Sequence, residues 1–458
     1  MSAYHLIGIG GAGMSVVAEL LHGRGHLVSG SDQSESPILD HLRSVGVTAH
    51  SGHNADNVPA DATVVISSAV RESNVELSVA RSRNQEILHR SQALALAAEG
   101  LRFVAVAGAH GKTTTSGMLA VALTEAGADP SFAVGSIVPP FGSGARLGGG
   151  DIFIAEADES DESFLNYSPA IALVTNIEPD HLDHYASREA FEEVFARFAQ
   201  RIIPGGHLVA CAEDDGAMRL ADYARSQGIA VHTYGRPEHS VTSPDLAIHE
   251  CELLPDGARA RLGGLETESE LRLKVPGIHN ILNAAGAYLV GHLLGVDAAA
   301  MTEGLAHFGG TARRFDFKGE VAGRRLYDDY AHHPTEVAAA IAQARVVANG
   351  GEVTVVFQPH LYSRTQSFAD RFAQALSGAD HIVLADIYGA REDPIDGVDS
   401  SLISSQIPGA HFIGEMHEAT RYGAALTPHG GILITMGAGS ITQCADDALT
   451  QWQSEKGS

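Results

Sequence analysis

The stretch AGAHGKTTT, residues 107–115, sets a lysine and three threonines behind two glycines, directly after the apolar run LRFVAVAG. The chain carries 30 lysines and arginines, of which only Lys112, Lys274, Lys318 and Lys456 are lysines. A lysine kept inside such a loop calls for chemistry that an arginine does not supply. A strand, a glycine turn and a helix in succession aim backbone N–H groups and the positive helix end at one spot, where phosphate binds. Lys112 would then reach the outer phosphates of ATP or GTP, and the Thr113 hydroxyl would bind Mg²⁺. The spacing is G-x-x-G-K-T rather than the longer G-x-x-x-x-G-K-T, because position 106 is Val106 and the glycine is Gly108.

A nucleotide loop needs a metal partner. AEADESD follows the next apolar strand and offers Glu156, Asp158, Glu159 and Asp161. Carboxylates at the carboxyl edge of a parallel sheet lie where such sheets bind ligands. The last three read equally well as a charged turn. TNIEPDHLDHY places His181 and His184 after a further strand. The close histidine pairs of a zinc hydrolase are absent, so one histidine completing a Mg²⁺ site is the reading taken.

At the N-terminus GIGGAG gives Gly8, Gly10 and Gly13 between a strand and a helix, with Asp32 ending the next strand. Alone this is a dinucleotide fingerprint and suggests an NAD-dependent oxidoreductase. The same geometry cradles any pyrophosphate. Beside a second phosphate loop, a UDP-sugar is the more economical ligand, with Gly10, Gly11 and Gly13 at the pyrophosphate, Asp32 facing the uridine, and Ser68 or His53 assisting. His53 reads more readily as an isolated loop histidine.

The elements that must position these residues alternate as strand and helix, giving α/β domains with mostly parallel sheets. Three such series run in tandem, divided near residues 98 and 312: 1–97, 98–311 and 312–458. Between Val241 and Val275 the texture changes to a small antiparallel patch, and IHNILNAAGAYLVGHLLG is a long apolar helix. At 458 residues three domains are the natural expectation. The net charge of -26 disfavours a nucleic-acid footprint, which needs clustered cations. Cys211, Cys251 and Cys444 show no C-x-x-C spacing, so neither a disulfide framework nor a zinc knot is expected. No apolar run is long enough to span a membrane, and the N-terminus enters a strand without a basic leader.

GAHGKTTT, EADESD, TNIEPDH, GIHNILN and RRFDF together, in this order, resemble the Mur ligase family. GIGGAGMS, DDYAHHPTE and FQPHLYSRT most resemble its alanine-adding branch. The resemblance implies a Rossmann-like first domain for the UDP-sugar, a P-loop ATPase-like second and a Rossmann-like third for the amino acid. It implies an ATP- and Mg²⁺-dependent amide ligase joining L-alanine to UDP-N-acetylmuramate in a bacterial cytoplasm, without nucleic-acid or membrane partners, as a monomer or dimer. Gly108, Ala109, His110, Gly111, Lys112, Thr113 and Thr114 would line ATP. Thr113 and Glu156 would hold one Mg²⁺ and His181 the second. His279, Asn280 and Asn283 would meet adenine, Arg314 the γ-phosphate and Asp329 the ribose. Tyr330, His332, His360 and Arg364 would handle the amino acid, with His332 as acceptor of its ammonium proton. Of His332 and His333, one is expected to be structural. Ala109 stands where family loops often have threonine. Leu361 stands where many members have arginine, leaving Arg364 as the main carboxylate partner. A relative that attaches a tripeptide to the same nucleotide sugar, and a nucleotide-sensing regulator, are the remaining alternatives.

Overall fold

The computed structural model describes residues 2–178, 185, 187–265, 268–390 and 392–456. His181 therefore lies outside the described residues. The chain divides into two compact units. Residues 1–249, 261–271 and 282–308 form the first, and residues 250–260, 272–281 and 309–458 the second.

The first unit holds a five-stranded sheet and most of a ten-stranded one. The N-terminal one has five strands in the order Thr48–Ser51, Leu27–Asp32, Ala3–Ile7, Thr63–Ile66, Ile87–His89, all parallel. The chain leaves the central strand, Ala3–Ile7, where the strand order reverses. This is the point at which open α/β sheets bind ligands, and the Gly8–Gly11 turn occupies it before the helix Ala12–Gly23. The larger sheet has ten strands, of which Ala230–Gly235, His207–Cys211, Ile171–Val174, Arg102–Ala107, Ile152–Glu156 and Ser131–Val138 are consecutive neighbours and parallel. Strand Arg102–Ala107 is buried from Phe103 to Ala107, as expected for a run of apolar residues in a sheet covered on both faces. The helix that follows, Lys112–Glu125, buries every residue from Thr115 to Leu123. Such a helix has no polar face to present to water, so its apolar composition fixes it inside the fold.

The second unit is built on six strands in the order Asp316–Val321, Arg324–Asp329, Ile432–Met436, Val353–Phe357, His381–Leu384, His411–Phe412. The first pair is antiparallel and the others are parallel. Period-two alternation divides its core. Val353, Val355, Phe357, Ile432 and Ile434 pack on one side, and Leu326, Val356, Val383 and Leu433 on the other with Trp452. Among the described residues no helix is long and apolar enough to cross a membrane.

Candidate active site

The loop after strand Arg102–Ala107 turns on two glycines in the left-handed region, Gly108 at φ +127° and Gly111 at φ +86°. It is stitched to the end of the neighbouring strand Ile171–Val174. Asn176 accepts from Ala109 N through its carbonyl at 3.2 Å and from His110 N through Oδ1 at 2.9 Å. The Thr175 hydroxyl and the Asn176 amide donate to His110 O at 2.6 and 2.9 Å. Thr175 and Asn176, in TNIEPDH, are thus loop-positioning residues beyond those the motifs single out. Their position just past the adjacent strand was the available signal. A Cβ at Gly108 would lie 2.2 Å from Thr175 Oγ1, and one at Gly111 2.7 Å from Asn283 Oδ1. Asn283, on the helix Ile278–Leu293, thus lies against the loop. Gly108→Ala is expected to cost about 1–3 kcal/mol in strain and to lose nucleotide affinity in a fluorescent-ATP titration. Unchanged affinity would mean that the loop does not bind phosphate.

The four acids of AEADESD have separate partners. Glu156, ending its strand, accepts from Thr113 Oγ1 at 3.2 Å and from Gly135 N at 2.5 Å. Asp158 pairs with Arg90 at 3.2 Å. Asp161 accepts from Ser68 Oγ at 2.6 Å and from Ser163 N at 3.0 Å. Glu159 takes the lysine: Lys112 Nζ donates to both its carboxylate oxygens at 2.9 Å, and also to Gly108 O at 2.6 Å. Burial raises the Glu159 carboxyl to about 7 against the pull of Lys112. Burial opposes the charge on Lys112, but Glu159, Asp158 and Glu156 outweigh it and hold the ammonium group above its usual range. The Thr113 hydroxyl and the Glu156 carboxylate are hard oxygen donors side by side, the chemistry Mg²⁺ takes.

In the N-terminal sheet Asp32 serves the glycine turn directly. Its Oδ2 accepts from Gly10 N at 2.9 Å, and a Cβ at Gly10 would touch it. Gly11 N donates to Gly8 O at 3.0 Å, and a Cβ at Gly13 would meet Arg90. Ser68 is held by Asp161. His53 Nδ1 lies 2.7 Å from the buried Ser31 hydroxyl and 3.4 Å from Glu76.

The second unit gathers the residues of RRFDF, DDYAHHPTE and QPHLYSRT. The guanidiniums of Arg313 and Arg314 lie 4.7 and 5.1 Å from the Tyr330 ring centroid, within cation–π range. Arg314 also pairs with Glu336 at 3.4 Å. His332 donates its backbone N–H to Glu336, and its ring sits 5.3 Å from Tyr330 and 5.9 Å from His360. Arg364, buried at the start of helix Tyr362–Leu376, approaches His360 Nδ1 at 3.4 Å. His333 caps the helix Pro334–Ala348, its Nδ1 accepting from Thr335 N at 3.4 Å. Leu361 takes the left-handed φ of +69°, uncommon for a non-glycine residue. Asp329 accepts from Phe315 N and Ala331 N, both at 2.7 Å. Burial raises its carboxyl to about 6 despite Arg314. Burial lowers His279 to about 4, so its ring is neutral at pH 7. The Asn280 amide donates to Pro276 O at 2.8 Å.

A glycine loop with its lysine and acids at the carboxyl edge of a mostly parallel sheet, flanked in sequence by two further mostly parallel α/β sheets, defines a three-domain α/β protein. Family models match along the chain: "Mur ligase family, catalytic domain" over residues 3–102, "Mur ligase middle domain" over 106–291 and "Mur ligase, glutamate ligase domain" over 313–439. The chain is 50% identical to a UDP-N-acetylmuramate–L-alanine ligase of Kineococcus radiotolerans, covering 97% of this chain and 95% of that one. It is 51% identical to the ligase of the same name from Renibacterium salmoninarum, covering 96% and 93%. The crystal structure of the UDP-N-acetylmuramate–alanine ligase from Thermotoga maritima superposes with a TM-score of 0.80 at 27% identity, covering 99% of this chain and all of that one. A murein peptide ligase from Psychrobacter arcticus, at 22% identity and a TM-score of 0.71 over 99% of each chain, shares the fold. The chain belongs to the Mur ligase family.

Proposed function

We propose that this chain joins L-alanine to the lactyl carboxylate of UDP-N-acetylmuramate with cleavage of ATP to ADP and phosphate, by way of an acyl phosphate. The observation that carries this reading is half identity, over nearly the full length of both chains, to a ligase named for that reaction. In this reading residues 1–97 hold the nucleotide sugar, 98–311 hold ATP and 312–458 hold the amino acid.

A carboxylate and an amine do not condense unaided, because the oxygen that must depart is a poor leaving group. Phosphorylation of the carboxylate corrects this, and the amine then displaces phosphate at the acyl carbon. Lys112 would give up its contact with Glu159 and place its ammonium on the outer phosphates, where transferring charge develops. The backbone N–H groups of residues 109–113 would face the phosphates. Thr113 and Glu156 would hold Mg²⁺, with His181 at a second ion; the metal's contribution is to neutralise phosphate charge. Asn283, with Asn280 and His279, would border the adenine, and Asp329 would reach the ribose. Arg314 would add a cation at the γ-phosphate. Arg364 would take the alanine carboxylate, beside His360 and Tyr330, while His332, oriented by Glu336, would accept the ammonium proton. In the first domain Gly10, Gly11 and Gly13 would lie along the pyrophosphate, with Asp32, His53 and Ser68 around the nucleotide.

The test is phosphate release from ATP and Mg²⁺, with and without UDP-N-acetylmuramate, across L-alanine, glycine, L-serine and the tripeptide. Release that requires the nucleotide sugar and L-alanine together, with the amide seen by mass spectrometry, is the expected result. Release with the tripeptide alone would overturn the alanine assignment. ATP binding without release for any acceptor would overturn the ligase assignment itself.

A further inference from the structure

The helix Met416–Leu426 and the C-terminal helix Ala445–Lys456 pack on the face of the six-stranded sheet that carries Leu326, Val356 and Leu433. Where they meet, three donor atoms of different chemistry converge. His417 Nδ1 lies 2.7 Å from Asp447 Oδ2 and 3.6 Å from Cys444 Sγ, and all three donors lie within 4.8 Å of one another. Cys444 is fully buried, whereas the His417 and Asp447 side chains are 40% and 25% exposed. The cluster is thus a buried thiol beside a partly exposed imidazole and carboxylate.

We propose that His417, Cys444 and Asp447 form a zinc site that clamps the last two helices together, with water completing a tetrahedron.

The arrangement is not that of a thiol–imidazole–carboxylate relay. A relay sets thiol and carboxylate on opposite ring nitrogens, so that a proton passes through the imidazole. Here both approach the same nitrogen, Nδ1. Donors crowded around one point, rather than strung along a line, suit a cation. The dimensions agree. Zinc–sulfur and zinc–nitrogen bonds of about 2.3 and 2.0 Å at a tetrahedral angle put sulfur and nitrogen roughly 3.5 Å apart. Nitrogen and oxygen would stand roughly 3.3 Å apart, so the partly exposed His417 and Asp447 need open only slightly from their hydrogen bond. A thiolate, an imidazole and a carboxylate form a mixed set of the kind zinc takes, and the soft sulfur disfavours Mg²⁺. Arg421 is the opposing charge. It contacts the other carboxylate oxygen, Oδ1, at 3.5 Å, is half exposed, and also faces Glu415 at 3.9 Å, so it can turn to solvent. On binding, the Cys444 thiol releases its proton to solvent and sulfur becomes a ligand.

The test is a titration of the full-length, chelator-stripped and reduced chain with Co²⁺, followed by Zn²⁺. The expected result is one Co²⁺ per chain with a thiolate-to-cobalt charge-transfer absorbance. Zn²⁺ should displace it and excess Mg²⁺ should not, and zinc should raise the unfolding temperature. Cys444→Ser should abolish the absorbance. His417→Gln, at a partly exposed position, should lose the site while changing the metal-free unfolding temperature little, and so decides the matter even if the buried serine variant folds poorly. A missing charge-transfer band would overturn the proposal. So would a band that survives both substitutions, which would assign the metal to Cys211 or Cys251.

Discussion

Lys112→Met is expected to reduce phosphate release by about 10²–10³-fold, the usual loss when one preorganised cation or donor is taken from a developing charge, and to leave the chain folded. The second half of the expectation follows from Glu159. Stripping the partner from a buried ion pair usually costs about 3–5 kcal/mol, because a bare charge remains. Glu159, however, already titrates at about 7 with Lys112 beside it. Without the ammonium its carboxyl rises further and carries a proton at neutral pH, so no bare charge is left. A large loss of rate with a small change in unfolding temperature is therefore the signature. Lys112→Arg should not restore the rate, since a planar fork does not fit a site built around a compact ammonium bonded to Gly108 O and both Glu159 oxygens. Retained phosphate release in Lys112→Met would remove the lysine from the mechanism. Full activity together with lost stability would make it a purely structural ion pair.

Lys112 was legible because its loop is local: strand, glycines and helix are neighbours in the chain, and lysine is rare in this composition. Which acid it meets was not legible. Glu156, Asp158, Glu159 and Asp161 sit in a turn without periodicity, where no face can be assigned from spacing. Their partners come from Thr113, Arg90, Lys112 and Ser68, which lie 43, 68, 47 and 93 residues away in sequence. Burial raises Glu159 to about 7, while Lys112 and Ser160 hold Asp158 low, and Ser163 and Ser68 hold Asp161 low, against the same penalty. The sheets were easier, since βα alternation constrains topology before any contact is known. The HHP pair marks a helix start in the sequence, and the position of its proline tells which histidine is the cap. Proline favours the first position of a helix, so the residue before Pro334 had to be the cap, and His333 fills that role. Glu76 gave no sign of itself. In NVELSVARS it reads as an ordinary acid in a first helical turn, where the helix dipole welcomes a negative charge.

Replacing Glu76 by glutamine is expected to open the N-terminal sheet. Its side chain is fully buried and gathers donors on both oxygens. Ser31 Oγ donates to Oε2 at 2.5 Å, with His53 and His5 at 3.4 and 3.5 Å from the same atom. Asn54 N and Asn57 Nδ2 donate to Oε1 at 3.0 Å. Burial alone would raise the carboxyl, but the hydrogen bonds from His5, Ser31, Asn57 and Asn54 prevail and hold it at about 2 against an ordinary 4.5. At 1.4 kcal/mol for each tenfold change, ionised Glu76 contributes about 3 kcal/mol. The folded value lies below the unfolded one, so this contribution is complete above pH 4.5 and is lost as the pH falls through about 2. Glutamine has no such dependence. The gap between wild type and Glu76→Gln should therefore be widest at pH 7 and narrower by roughly 1 kcal/mol at pH 3.5. Tryptophan fluorescence cannot read this, because the only tryptophan, Trp452, belongs to the six-stranded sheet's core. Hydrogen exchange in peptides covering Ala3–Ile7 and Leu27–Asp32 reads local opening directly. Ser31 also links the cluster to ligand binding, since its carbonyl accepts from Gly8 N and Ile9 N at 2.8 and 3.0 Å. Faster exchange in these strands should thus accompany weaker binding of the nucleotide sugar. A gap that stays constant between pH 7 and pH 3.5 would show that the Glu76 charge does not hold the sheet.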